Sequence, residues 1–131
     1  MNSRQRPRRA LLFMPGDDEH KIAKGAALGA DCVIMDLEDG VAPGRKEAAR
    51  ETVRRVLMDD VVDFDWTERL VRVNAAVTGL QEADIAATIV GRPDGYVLPK
   101  VESAMDIRRV SQFLLEKEHE HGIEPGSTKL L

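Results

Sequence analysis

Four short apolar runs divide this chain at near-even intervals, and each gives way at its C-terminal end to charge or to a turn. ALLFM at 10–14 runs into Pro15-Gly16-Asp17-Asp18, and CVIMDL at 32–37 runs into Glu38-Asp39-Gly40. RLVRVN at 69–74 and GYVLPK at 95–100 are the third and fourth. The segments between them carry helical periodicity. Ile22, Ala23, Ala26 and Ala27 form a narrow stripe over 18–29, and Ala49, Val53, Val56 and Leu57 form another over 43–58. A third helix is expected over 80–90. A fourth is expected from Ser103, a good N-cap with Asp106 three residues on, to about His121. Residues 128–131 read as a fifth strand beginning. Apolar strands alternating with helices imply a parallel sheet with covered faces. Two architectures fit: an open doubly wound sheet, or part of a (β/α)₈ barrel, of which 131 residues are roughly half.

Charge narrows the function classes. The chain holds 19 basic and 23 acidic residues. Arg4, Arg6, Arg8 and Arg9 crowd the start, leaving an acidic body of 15 basic and 23 acidic side chains after residue 9. Such a body does not suit nucleic acid. Residues 1–8 are expected to be a flexible basic tail and 9–131 the α/β domain, which is a partial barrel on the second of these architectures. No run approaches the roughly 18 apolar residues of a membrane span, and the arginine-rich start has no apolar signal core. The single cysteine, Cys32, cannot form an internal disulfide and lies in a core-like run, which points to a reducing cytoplasm.

In parallel α/β folds, chemistry collects where the strands end. Residues i and i+2 of a strand share a face. If Ile34 points inward, so do Asp36 and Glu38; Leu70, Arg72 and Asn74 share a face, as do Leu98, Lys100 and, by extension, Glu102. Each strand then carries apolar residues below and polar ones above, so carboxylates, an arginine and a lysine converge on one mouth. That set suits a divalent cation with oxygen ligands and an anionic substrate gripped by Arg72. A purely structural arrangement fits the same spacing: Asp39 capping the next helix, Glu38 paired with Lys100 or Arg72, and Asp36 accepting backbone N–H groups. The chain has no G-x-G-x-x-G, G-x-x-x-x-G-K-[ST] or G-x-S-x-G motif.

RALLFMPGDDEHKIAKGAALGADCVIMDLEDGVAPGRKEAAR, then LVRVNA, then GYVLPKVES resembles the citrate lyase beta-subunit and malyl-CoA lyase family, within the HpcH/HpaI aldolase superfamily of TIM barrels. The resemblance runs from about residue 9 to residue 131. It implies an N-terminal half barrel of about four βα units plus the start of strand five. It also implies Mg²⁺-dependent cleavage of a citryl, malyl or citramalyl type 3-hydroxyacyl thioester, on CoA or an acyl carrier, into an acyl thioester and a 2-oxo acid. Arg72 would bind and stabilise the substrate oxyanion. Asp36, Glu38 and Asp39 would lie beside the metal, holding its waters, and Asp39 stands where aldolase-branch relatives carry a histidine, which favours the lyase branch. Lys100 and Glu102 are further active-site candidates. The family's direct metal ligands, a Glu and an Asp on strands five and six, are expected beyond Leu131. The 131 residues alone are therefore expected to be inactive, and a homo-oligomer or a complementing barrel half is the expected partner. The alternative is a non-catalytic half-barrel module that needs a partner.

Overall fold

Every residue of CVIMD is buried, and this strand lies at the centre of the architecture. The computed structural model describes residues 8–59 and 61–131. Five strands, β1 (Leu11–Pro15), β2 (Cys32–Asp36), β3 (Glu68–Arg72), β4 (Gly95–Val97) and β5 (Lys129–Leu130), form one parallel sheet in the order β1-β2-β3-β4-β5. Helices α1 (Glu19–Ala27), α2 (Lys46–Met58), α3 (Gln81–Thr88) and α4 (Ala104–Glu120) connect them. Short 3₁₀ turns stand at Pro43–Arg45, Ala76–Thr78 and Ile89–Gly91. Strand order that follows chain order leaves no point where the winding reverses. That excludes the doubly wound alternative, whose order switches direction near its middle.

Period-2 alternation decides which strand residues meet the helices. Val33, Met35, Val71 and Tyr96 pack with Ile22, Ala49, Val53, Val56, Ile85, Val110 and Leu114, drawn from all four helices, and with Ile89 of the turn after α3. On the other face Cys32, Ile34 and Leu70 form a small layer with Val97 and no helical residue. Leu11 and Phe13 remain 47% and 49% exposed on that helix-free side. Helices on one face only, with strands in sequential order, are the arrangement of a barrel wall.

Local signals behave as their chemistry requires. Asp18 caps α1, its Oδ1 accepting from Lys21 N–H at 3.0 Å. Ser103 Oγ accepts from Asp106 N–H at 3.3 Å, so α4 begins where the sequence indicates. The turn before α2 starts at Pro43 without a side-chain cap, so Asp39 does not cap it.

Two expectations are corrected. β4 stops at Val97, and Leu98 packs on the helix side, so Leu98 and Lys100 do not share an inward face. Residues 1–7 of the expected tail lie outside the described residues. Arg8, counted with that tail, is instead hydrogen-bonded through Nε and Nη2 to Glu68 at 2.7 and 3.1 Å. Among the described residues no helix is long and apolar enough to cross a membrane.

Candidate active site

Asp36 and Arg72 occupy paired positions at the C-terminal ends of β2 and β3. Parallel register puts both on the helix-free face. The guanidinium forks onto the carboxylate, Nε to Oδ1 at 2.9 Å and Nη2 to Oδ2 at 2.7 Å. Oδ1 also accepts from Glu38 N–H at 2.9 Å, and Oδ2 from Gly40 N–H at 2.8 Å. Four donors fill the lone pairs of Asp36. Burial alone would push this carboxyl up; Arg72 and the two backbone N–H groups outweigh it and hold the carboxyl below its ordinary value. Arg72 is in turn raised, first by its hydrogen bond to Asp36.

Through these four donors Asp36 orders Arg72 and the 38–40 turn. Gly40 is required there, because a Cβ on it would stand 2.7 Å from Asp36 Oδ2.

Glu38 is the carboxylate with capacity to spare. Its side chain is 8% exposed, 3.6 Å from Arg72 Nε and 3.4 Å from Lys100 Nζ. No donor among the described residues makes an aligned hydrogen bond to its buried Oε2. Lys100 reaches it not from a strand but from a left-handed backbone position, φ 51°. Asp39 is exposed at the rim, and its charge also acts on Arg72. Glu102 is exposed in the approach to α4, where its N–H donates to Asp106 Oδ2 at 3.2 Å; no contact brings it to Arg72 or Glu38. The structure therefore gathers Asp36, Glu38, Arg72 and Lys100, with Asp39 beside them and Glu102 apart.

Sequence reasoning set Asn74 beside Arg72 but missed how Lys46, Arg50, Asn74 and Asp84 hold this cluster in place. Lys46 Nζ donates to the carbonyls of Leu37 and Glu38, at 2.7 and 2.5 Å. Asn74 Nδ2 donates to the same Leu37 carbonyl at 2.9 Å and to Asp84 Oδ2 at 2.7 Å. Arg50 Nε reaches Asp84 Oδ1 at 2.7 Å, and Asp84 is fully buried. Lys46 and Arg50 are the K and R of the K-x-x-A-R pattern after DLEDGVAP, so that pattern encodes a brace for the strand ends. A carboxylate on the apolar face of a helix, Asp84 beside Ile85 and Thr88, was the legible sign of a buried partner.

A parallel sheet with helices on one face, its strand ends carrying a braced arginine–carboxylate cluster, has the architecture of part of a (β/α) barrel wall. The profile of the HpcH/HpaI aldolase/citrate lyase family matches residues 9–131, and the chain belongs to that family. It is similar to the mitochondrial citramalyl-CoA lyase of Homo sapiens, 44% identical over 104 residues that make up 78% of this chain and 30% of the relative. It is also similar to the citrate lyase beta subunit of M. tuberculosis, seen complexed with oxaloacetate and magnesium. That match has 39% identity and a TM-score of 0.64, over 79% of this chain and 44% of the other. Haloferax volcanii malate synthase, in a pyruvate/acetyl-CoA ternary complex, shares the fold with a TM-score of 0.81 at 21% identity, over 99% of this chain and 40% of its own. The chain spans less than half the length of each of these relatives.

Proposed function

We propose that this chain supplies the anion-binding wall of the active site of a magnesium-dependent carbon–carbon lyase. Its substrate would be a citryl, malyl or citramalyl type thioester of CoA or an acyl carrier, and its products an acyl thioester and a 2-oxo acid. The observation that carries the reading is Arg72. Its Nε/Nη2 edge is committed to Asp36, while no hydrogen bond among the described residues engages Nη1. A guanidinium held by one edge presents the other as a fork for a carboxylate or a developing oxyanion. Once the hydroxyl beside the breaking bond gives its proton to a base, its oxygen becomes a carbonyl and the C–C electron pair leaves as the enolate of the thioester fragment, so a fixed cation at the mouth stabilises charge as it forms.

The metal fits this wall at its periphery. Among the described residues no three acidic, histidine or cysteine side chains could hold an ion together. The Oε2 of Glu38, ion-paired with Lys100 but without a hydrogen bond among the described residues, and the rim carboxylate of Asp39 suit the hydration shell of Mg²⁺, a hard cation that keeps several of its waters. Its direct ligands would come from outside the described residues. When bound, magnesium supplies Lewis-acid polarisation of the 2-oxo acid carbonyl. The further contributions belong to Arg72, which grips the anion, to Asp36, which fixes that grip, and to Lys100, which offsets the charge of Glu38.

The 131 residues alone are expected to turn nothing over. A complementing barrel half, or a homo-oligomer, is the proposed partner and the cytoplasm the proposed setting. The helix-free apolar face favours a second reading, a module that assembles without catalysing. An assay of citryl-, malyl- and citramalyl-CoA cleavage with and without Mg²⁺ separates the two when run on the full polypeptide. No metal-dependent release of a 2-oxo acid from any of them would leave only the second. Glu38→Gln keeps the shape and removes the charge. In the full polypeptide it is expected to weaken magnesium activation about 10- to 100-fold, the usual cost of losing an outer-shell partner, with urea stability unchanged. Unaltered magnesium dependence would remove Glu38 from the reading.

A further inference from the structure

Arg72 does not extend straight from its own strand. Its fork on Asp36 draws it across β2, and its guanidinium carbon comes to rest 4.7 Å from the centroid of the Phe13 ring on β1. Phe13 pairs in register with Ile34, two residues below Asp36, and so lies on the same helix-free face. The apolar layer of that face is built from Cys32, Ile34, Leu70 and Val97; Phe13 stands 49% exposed beside it. The two contacts constrain different motions. A fork onto a carboxylate fixes the guanidinium within its own plane, while leaving it free to tilt about the line joining the two groups. A ring beneath the guanidinium opposes that tilt and shields one side of the cation from water.

From this geometry we propose that Phe13 is a positioning residue. It holds the Nη1 edge of Arg72 toward the barrel mouth, so that an incoming planar carboxylate meets a pre-aimed fork. The proposal rests on Arg72 as the group that binds the 2-oxo acid. It adds that the alignment of this group depends on a side chain two strands away which makes no hydrogen bond to it.

Cation–aromatic contacts of this kind are worth about threefold to tenfold in an equilibrium constant. Phe13→Leu in the full polypeptide is accordingly expected to weaken glyoxylate binding in the presence of Mg²⁺ by about fivefold, by calorimetry, and Phe13→Tyr, which keeps the ring, to restore it. The decisive measurement is the double-mutant cycle with Arg72→Gln. With the cation gone, Phe13→Leu should have no further effect on glyoxylate binding. The same weakening in both backgrounds would show that Phe13 acts by another route and would overturn the proposal. So would unchanged binding in Phe13→Leu while Arg72→Gln loses it, a result that leaves the assignment of Arg72 standing. Unchanged binding in Arg72→Gln itself would remove both. Thermal unfolding of each variant separates a folding defect from a binding one, because Phe13→Tyr must match the parent in both.

Discussion

Asp36 carries the residue-scale argument. From its position in CVIMDLEDG it reads equally as a metal neighbour or a backbone acceptor, with Arg72 expected to pair with Glu38 if with any acid of the segment. The fold makes it a backbone acceptor and gives it the fork of Arg72 as well. What decided this was the course of the backbone after the strand, which turns the N–H groups of Glu38 and Gly40 back onto the carboxylate. Spacing along a strand shows which face a side chain takes and nothing of how a following turn folds over it. The depressed carboxyl carries a sign. A group whose folded value lies below its ordinary 3.8 contributes stability above that value, lost as pH falls through the lower one. Asp36→Asn should therefore cost about 2 kcal/mol at pH 7, because it removes the charge that the Arg72 fork and two backbone N–H groups meet, and less near pH 3. Urea unfolding at the two pH values checks this; an equal cost at both would mean the loss is one of shape and not of charge.

At the scale of elements, β2 and β3 follow the alternation read from the sequence, and β4 departs from it. The sheet keeps Gly95–Val97 only, and Lys100 reaches Glu38 through a left-handed backbone. Pro99 removes a ladder donor there, so a strand extended to residue 100 could not have kept its hydrogen bonds. The opposite end of the sheet was not legible at all. Fully buried Glu68, at the start of β3, gathers Arg8, Cys32 Sγ at 3.1 Å and Lys129 Nζ at 3.2 Å, residues 60, 36 and 61 positions away along the chain. No local pattern announces contacts across such distances. Burial opposes the charge of Glu68, but hydrogen bonds from Arg8, Cys32 and Lys129 hold its carboxyl down at about 2. Its share of stability is full above the ordinary 4.5 and drains away as pH falls toward 2. Burial, then the neighbouring carboxylate, pushes the Cys32 thiol up to about 12. A thiol so protonated is a poor nucleophile. In the native chain at pH 8 Cys32 should resist a disulfide-exchange reagent that labels it at once in urea. Glu68→Gln should flatten acid unfolding between pH 4.5 and 2. Rapid native labelling would mean that the base of the sheet opens readily.

For the whole molecule, the sheet has helices on one face and, among the described residues, none on the other. β1 and β5 stand at the two ends of the strand order, and the edge of a sheet is a template for another strand. The helix-free face adds half-exposed Leu11 and Phe13 above the small layer of Cys32, Ile34 and Leu70. Family resemblance led the sequence reading to this half barrel, and the strand order supports it independently. How much apolar surface the arrangement leaves uncovered was not legible, because a core-like run such as ALLFM carries no mark of which of its two faces finds a partner. Exposed apolar area next to open edges drives association by the same burial that drives folding. The 131 residues on their own should therefore self-associate. Light scattering is expected to give a mass above that of a monomer which rises with concentration, and Leu11→Lys, which sets a charge on that face, to lower it. A strict monomer at high concentration would show that the open face is tolerated in water. The wall would then be a stable unit in its own right, and the case for a complementing half would lose its support from this face.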